Sequence, residues 1–149
     1  MGNLKLTSSA FSDGGEIPRK FGYKNGNKQP DLSVSEMPEG TEYLALIMDD
    51  PDAMGAVGKV WVHWVVWNIW PVSNTGVVDY NQASEGMTDF GEVGYGGPAP
   101  PDKRHTYIFK LYALDIKLDL PNESTKADVE KAMEGYILDQ ATLTGTYVP

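Results

Sequence analysis

The 149-residue chain contains no cysteine, only two histidines, few cations and no long hydrophobic run. Without cysteine it can form neither a disulfide framework nor a thiolate metal site, and this fits a reducing compartment. Twelve Lys and Arg against 21 Asp and Glu leave a net charge of −9. That balance disfavours nucleic acid as a partner, and equally an anionic membrane bound through a basic patch. The longest apolar stretch, around residues 60–70, contains His63 and Asn68 and is too short to span a bilayer.

The ends and the length of the chain predict a single intracellular domain. Polar residues follow the initial methionine at once, with no apolar run of the kind that a signal peptide requires. We therefore expect a cytoplasmic protein with no stable membrane insertion. A chain of this length is also the usual size of one domain, so one domain is predicted over residues 1–149.

Short strands are the main feature that the pattern predicts. Sixteen glycines and ten prolines interrupt the chain at short intervals, as in proteins with many short strands and ordered loops. Residues 41–48, 60–69 and 106–114 are rich in β-branched and aromatic residues and predict three buried strands. Residues 143–148 predict a last strand. The long segment 71–101 is expected either to be functional or to hold short strands of its own.

One helix is predicted near the C-terminus. Ser124 or Thr125 can cap its start, and Asp128 stands three residues after Thr125, close to a capping-box arrangement. Apolar residues then recur at helical spacing: Val129, Ala132, Met133, Tyr136 and Ile137. The fold class is therefore mainly β, a sandwich with one appended helix, and not a series of alternating βαβ units.

The two histidines each interrupt an otherwise apolar strand. Because alternate residues of a strand point to the same face, His63 is predicted to share a face with three apolar neighbours: Trp61, Val65 and Trp67. By the same alternation His105 shares a face with Tyr107. A single histidine in such a strand is typical of a satisfied core residue. Two of them, each with an aromatic residue two positions away, shift the balance toward a site, which requires that the fold bring the two strands' histidines together.

Asp50 is the carboxylate that can act with these histidines. It precedes Pro51, which favours an extended conformation and fixes the direction of its side chain. The surrounding Asp-Pro-Asp segment is also typical of an ordinary turn. A carboxylate beside an imidazole orients the ring and favours its protonated form. A protonated histidine is a cation with two donors, which suits a phosphate or carboxylate oxygen.

A glycine- and proline-rich segment, residues 94–101, is the third element of the predicted site. Glycines allow the backbone to approach a ligand closely and to turn N–H groups toward an anion, while the prolines stiffen the wall. The segment lacks the lysine and spacing of a Walker motif and the following helix of a Rossmann fingerprint. An ordinary rigid loop has the same composition.

Four segments in this order resemble the phosphatidylethanolamine-binding protein family, in its bacterial and archaeal branch, also described as Raf-kinase-inhibitor-like. They are Asp-Pro-Asp-Ala at 50–53, Trp-Val-His-Trp-Val-Val-Trp-Asn at 61–68, Tyr-Gly-Gly-Pro-Ala-Pro-Pro at 95–101, and His-Thr-Tyr at 105–107 with residues 109–115 behind it. The resemblance continues into the C-terminal helix and residues 143–147. It covers nearly the whole chain.

The resemblance implies a β-sandwich of two antiparallel sheets in a Greek-key arrangement, with a small pocket at one end for phosphate, phosphorylated head groups and similar anions. It also implies a homodimer, and neither a cofactor nor a metal ion is expected. Carried over by motif, the pocket residues are Asp50 and His63 on one side with Trp61 as an apolar wall, Gly97 and Pro98 as backbone, and His105 and Tyr107 on the other side.

Two positions depart from the family pattern. Met54 stands where the Asp-Pro-Asp-Ala motif usually continues with proline, which is expected to loosen the turn after Asp52. Thr106 follows His105 where arginine is common. Arg104 has the same strand parity as Thr106 and is a candidate to supply the missing cation.

Three functions are compatible with these residues. The leading hypothesis is a non-enzymatic binding module for a small phosphate-like or carboxylate anion. The second is an inhibitor or scaffold that holds a kinase or protease through an exposed apolar rim around the pocket. The third is a hydrolase in which His63 or His105 acts as general base with Asp50 orienting it, or in which the three residues hold a metal ion.

Overall fold

The computed structural model describes residues 2–71 and 76–149. These two ranges contain eight strands and two α-helices. In chain order they are β1 (Lys5–Thr7), β2 (Gly15–Glu16), β3 (Ser33–Ser35), β4 (Tyr43–Asp50), α1 (Ala53–Val57), β5 (Trp61–Ile69), β6 (Ser84–Glu85), β7 (His105–Leu114), α2 (Lys126–Met133) and β8 (Ile137–Tyr147). A single turn of 3₁₀-helix lies at Arg19–Phe21. None of the helices in these two ranges is long and apolar enough to cross a membrane.

The strands form two sheets. The larger has the order β2-β8-β7-β4-β5-β6, and β1 pairs with β3 in a separate two-stranded sheet. All pairs are antiparallel except the short β2–β8 pair. β4 is central, with its hairpin partner β5 on one side and β7 on the other. The predicted class, mainly β with two sheets and a main helix near the C-terminus, is confirmed; α1 adds a second, five-residue helix.

Both faces of the larger sheet are covered, which explains the nearly continuous apolar sequence of its central strands. Along β4, Leu44, Leu46 and Met48 point to the face covered by the β1–β3 sheet and the N-terminal segment. Ala45 and Ile47 point to the opposite face, which α2 covers. The alternation of a strand thus divides one apolar run between two cores.

Helix α2 begins as predicted. The Thr125 hydroxyl accepts the backbone N–H of Asp128 at 3.2 Å, and the Asp128 carboxylate accepts the N–H of Thr125 at 2.9 Å. These two bonds complete a capping box. Val129 and Met133 are buried against the sheet, so the predicted apolar stripe is the face that packs.

The helix ends earlier than the apolar pattern predicts. It stops at Met133, and Gly135 adopts a positive φ of 85°. Tyr136 and Ile137 are exposed, and Ile137 begins β8 rather than extending the helix. The glycine reverses the chain direction at low steric cost, and the last strand is therefore longer than residues 143–148.

A bulge in β5 changes which residues share a face with His63. Two consecutive residues of β4 pair with the residues on either side of His63, which is left as an extra residue. Val65 and Trp67 therefore pack in the core beneath α2, while the ring of His63 contacts Tyr107 on the opposite side of the sheet. The prediction that His63 shares a face with Val65 and Trp67 is wrong for this reason.

The long loop after β5 contains short strand segments, as expected. It holds β6, which pairs with β5, and an isolated antiparallel bridge between Met87 and Val93. Residues 72–75 of the predicted loop lie outside the described residues.

Candidate functional site

The site lies at one edge of the larger sheet, where three strand ends meet. Because β4 is antiparallel to both of its neighbours, its C-terminal end adjoins the N-terminal ends of β5 and β7. Asp50, Trp61 and His105 therefore come together from the ends of three different strands. A cavity of about 230 Å³ opens there. Its lining residues are Asp50, Ala53, Ala56, Val57, Trp61, His63, Phe90, Ala99, Pro101 and His105.

Asp50 and His105 form a buried ion pair. The Nδ1 atom of His105 lies 2.6 Å from Oδ2 of Asp50, and both side chains are almost fully buried. The other carboxylate oxygen of Asp50 accepts the backbone N–H of Asp52 at 2.9 Å. Asp50 is thus held by its own turn while it fixes the His105 ring. The resemblance placed Asp50 on the same side as His63, whereas the structure pairs it with His105.

Asp102 binds the second nitrogen of the same ring. Nε2 of His105 lies 2.7 Å from Oδ1 of Asp102, whose side chain is 44% exposed. Ionised carboxylates only accept hydrogen bonds, so both ring nitrogens of His105 must donate and the ring is an imidazolium. Burial disfavours that charge, but the hydrogen bonds with Asp50 and Asp102 outweigh burial and raise the pKa of His105. The bond with His105 in turn lowers the pKa of Asp102.

His63 is in the opposite state. Its Nδ1 lies 2.7 Å from the carbonyl oxygen of Gly96, which can only accept, so Nδ1 carries a proton. The backbone N–H of Gly96 donates back to the His63 carbonyl at 2.8 Å. Burial lowers the pKa of His63 despite the bond to Gly96. The neutral ring therefore keeps a lone pair on Nε2.

Tyr107 packs against both histidines. Its ring centroid lies 5.1 Å from that of His63, nearly perpendicular to it, and 6.3 Å from that of His105. Its buried hydroxyl lies near the Asp50 carboxylate and the backbone of Ala99, without a well-formed hydrogen bond to either. Burial and the nearby charge of Asp50 raise the pKa of Tyr107, so the hydroxyl remains a donor.

The rest of the cavity wall is apolar. Phe90 stacks on Tyr23 with centroids 4.1 Å apart and meets Trp61 and His63 edge to face at 5.6 and 5.3 Å. Helix α1 contributes three small or branched side chains, and Ala99 and Pro101 close the other side. A small polar floor is thus set in an apolar rim.

The seven residues predicted for the site occupy three kinds of position. Four of them line the cavity: Asp50, Trp61, His63 and His105. Tyr107 lies beneath the two histidines. Gly97 and Pro98 are not among the lining residues; the neighbouring Ala99 and Pro101 are.

Gly97 supports the wall through close packing. A Cβ atom there would lie 2.0 Å from the carbonyl oxygen of Phe21, so only glycine fits. Its N–H donates to Oδ1 of Asn27 at 2.7 Å, and the carbonyl of Pro98 accepts the N–H of Tyr23 at 2.9 Å. These backbone groups bind other protein groups, and the expected direction of the Gly97 N–H toward a ligand is not observed.

Arg104 does not supply a cation to the cavity. Its guanidinium pairs with Glu16 at 2.7 Å and with the Thr146 hydroxyl at 3.0 Å, and both charged side chains are about half exposed. The backbone N–H of Thr106 donates to Asp52 at 2.8 Å. Within residues 2–71 and 76–149, no group of three or more His, Asp or Glu side chains is arranged to hold a metal ion.

Two residues at the site, the polar Asp102 and the aromatic Phe90, were not predicted from the sequence. Asp102 stands three residues before His105, and that short spacing was the only available signal for their contact. Phe90 lies in the long loop and carries no pattern that distinguishes it from a core residue. It reaches the cavity because the N–H of Asp89 donates to the carbonyl of Val62 at 3.0 Å and the Asp89 carboxylate accepts the N–H of Val62 at 2.6 Å.

Comparison with known proteins extends over nearly the whole chain. The family model described as phosphatidylethanolamine-binding protein matches residues 7–148. A UPF0098 protein of Methanothermobacter thermautotrophicus is 42% identical over 148 residues, which are 97% of this chain and 98% of that one. A UPF0098 protein of Chlamydia muridarum is 43% identical, with the same shares covered.

Solved structures agree in fold. A structure described as a putative phosphatidylethanolamine-binding protein homolog from Chlamydia trachomatis superposes with a TM-score of 0.89 at 38% identity, covering 99% of this chain and 98% of that one. Escherichia coli YbcL gives a TM-score of 0.83 at 31% identity, covering 97% of each chain. The chain therefore belongs to the phosphatidylethanolamine-binding protein family. Its similarity to bacterial and archaeal members assigns it to that branch.

Proposed function

We propose that this protein is a non-enzymatic binding module that takes a small phosphate-like or carboxylate anion into the cavity between β4, β5 and β7. The observation that carries this proposal is that both histidines of the chain lie in one cavity, one of them held as an imidazolium. A buried cation with hydrogen-bond donors is what an oxyanion requires.

The available donors suit an oxyanion of limited size. His63 Nε2 can donate once it is protonated, and Tyr107 has a buried hydroxyl that makes no well-formed hydrogen bond with its neighbours Asp50 and Ala99. His105 offers a third donor at Nε2 if its present partner gives way. A cavity of about 230 Å³ matches a head group or a small metabolite.

Binding should be coupled to proton uptake. With His63 neutral, the cavity holds one imidazolium and the carboxylate of Asp50, and the carboxylate of Asp102 adjoins it on His105, so the local charge is not favourable to an anion. An anion near His63 stabilises the protonated ring and opposes the effect of burial on its pKa. We therefore expect affinity to increase as the pH falls through the ordinary pKa of histidine, about 6.5, toward the lower pKa of His63 in the free protein.

Histidine-resolved NMR across pH, with and without phosphate or phosphoethanolamine, tests the proposal. Having only two histidines, the chain gives two probes, and single His→Gln variants assign them. We expect the pKa of His63 to rise on addition of millimolar anion, with a concerted change at His105. If phosphate, phosphoethanolamine and acetate all leave both rings unperturbed, the anion-binding proposal is wrong.

A second candidate is a scaffold or inhibitor that holds a protein through the rim of the cavity. Met54 and Val57 of α1 are 54% and 52% exposed, and Val57 also lines the cavity. This apolar rim favours a protein contact beside the pocket. The hydrolase alternative has less support, because both nitrogens of His105 already donate and only His63 retains a lone pair for a general base.

A further inference from the structure

Asp102 occupies the place on His105 that an anion would need. Nε2 is the ring nitrogen that Asp50 does not use, and Oδ1 of Asp102 accepts its hydrogen at 2.7 Å. The His105 side chain is fully buried, whereas that of Asp102 is 44% exposed. A half-exposed carboxylate therefore holds the one ring donor of the buried cation that Asp50 does not use.

We propose that Asp102 is an internal competing ligand of the cavity, whose carboxylate stands on His105 Nε2 when no anion is bound and is replaced there by the oxygen of a bound anion. This inference rests on the proposed function. One N–H cannot donate at short range to two oxyanions, and two negative charges at that distance repel each other. Binding of the anion at this nitrogen thus requires Asp102 to leave.

Asp102 is the partner that can leave, and Asp50 is the one that cannot. Asp50 is the last residue of β4, is buried, and also accepts the N–H of Asp52 at 2.9 Å. Asp102 lies outside any helix or strand in the segment before β7, and its exposed carboxylate can be solvated by a side-chain rotation. The exchange needs no change in the sheet.

The exchange also avoids a third negative charge next to His105. With Asp102 in place, the imidazolium already contacts two carboxylates. Adding an anion to this arrangement increases the repulsion, whereas replacing Asp102 by the anion leaves the charge around the ring the same for a monoanion. Because Asp102 is itself a carboxylate, the position also accepts carboxylate ligands such as acetate.

Calorimetric titration of inorganic phosphate into Asp102→Ala and Asp102→Asn tests the inference. Both variants remove the competing charge, and the second keeps the side-chain size in case the first does not fold. We expect phosphate to bind about fivefold tighter than to the unaltered protein, the size of a screened ion pair. Asp119→Asn is the matched control, since it removes one exposed negative charge that is not paired with His105.

The outcomes separate this inference from the proposed function. If the unaltered protein binds phosphate and the Asp102 variants bind it equally or more weakly, Asp102 is not a competitor and only this inference fails. If none of the proteins binds phosphate, both fail. A second measurement follows the Asp102 carboxyl by ¹³C NMR: its pKa should rise when phosphate is added, because its bond with His105 is lost, and an unchanged pKa at saturating phosphate contradicts displacement.

Discussion

At the scale of single residues, two histidines in one cavity adopt opposite charge states because their partners differ. His105 lies between two carboxylates, which hold it as an imidazolium. His63 has a neutral carbonyl as its partner and is buried, so it stays neutral. A cavity with one fixed cation and one titratable ring can retain a proton and still respond to a ligand.

Replacing Asp50 by asparagine should change the pKa of His105 more than the pKa of any other group. The Asp50→Asn variant removes the buried negative charge that stabilises the imidazolium, so the pKa of His105 should fall. The free energy of unfolding should decrease by about 2 kcal/mol, the usual contribution of a hydrogen bond to a charged group. Proton-detected NMR titration of His105 and urea unfolding at pH 6 measure the two effects.

The control for Asp50 is Asp119→Asn, which removes the same charge from an exposed position. It should leave the pKa of His105 and the stability unchanged. If Asp50→Asn also left the pKa of His105 unchanged, Asp102 alone would hold the proton, and the assignment of Asp50 as the main buried partner would be wrong.

The resemblance to the family, carried by four segments in order, predicted Asp50, Trp61, His63 and His105 as neighbours, and the structure brings them together at strand ends that meet at one edge. The partners of these residues were not predictable. A contact such as that of Asp102 with His105 depends on the path of a segment outside the strands, and Arg104 points away because it pairs with Glu16 from a distant strand. Such contacts depend on the tertiary fold and leave no periodic pattern.

At the scale of elements, strand and helix types followed from composition, while boundaries and register did not. The central strands were predicted because branched and aromatic residues fill them. The bulge at His63 was not, since one extra residue leaves the sequence pattern intact while it reverses the alternation of the strand. Likewise, the apolar spacing of Tyr136 and Ile137 predicted a longer α2, but the helix stops at Met133, just before the turn at Gly135.

The wall segment that carries Ala99 and Pro101 depends on close packing at Gly97. We expect Gly97→Ala to reduce the free energy of unfolding by about 1–3 kcal/mol, as overpacking does, because its Cβ would meet the backbone of Phe21 at 2.0 Å. The wall should move and phosphate affinity should fall with it. Urea unfolding and calorimetric titration with phosphate measure both changes.

Gly55→Ala is the matched substitution. Gly55 lies in α1, and a Cβ there meets no atom within 4 Å. Alanine at that position should stabilise the protein by about 0.5–1 kcal/mol through helix propensity and a less flexible unfolded chain. Equal effects of the two substitutions would contradict the idea that the wall is fixed by its contact with Phe21.

At the scale of the whole molecule, the fold places a small polar site inside a strongly acidic protein. The net charge of −9 repels anions at long range, so any anion must be captured by local donors rather than by the overall field. The two cores on either side of the larger sheet hold the three strand ends in place. Both histidines are buried at these strand ends and have pKa values that differ from those of the unfolded chain, so their protonation is linked to the stability of the fold.

This linkage predicts a stability maximum near pH 6.5, the ordinary pKa of histidine. The pKa of His105 is raised in the folded state, so its contribution is fully present below about 6.5 and is lost as the pH rises through the folded value. The pKa of His63 is lowered in the folded state, so above about pH 6.5 this ring is neutral in both the folded and the unfolded chain and does not make the stability depend on pH. Between about pH 6.5 and the lower pKa of His63 in the folded protein, the unfolded chain binds more protons than the folded one. The free energy of unfolding therefore falls as the pH decreases through this range.

Urea unfolding between pH 5 and pH 8 tests this maximum, in a range where most carboxylates of the chain are already ionised. His63→Asn can keep the donor to the Gly96 carbonyl and removes the titrating ring, so it should abolish the decrease on the acidic side only. Asp50→Asn should flatten the alkaline side only, because it lowers the pKa of His105 toward that of the unfolded chain. If each variant flattened both sides, the two rings would titrate as one coupled group, and the separate charge states deduced from their partners would be wrong.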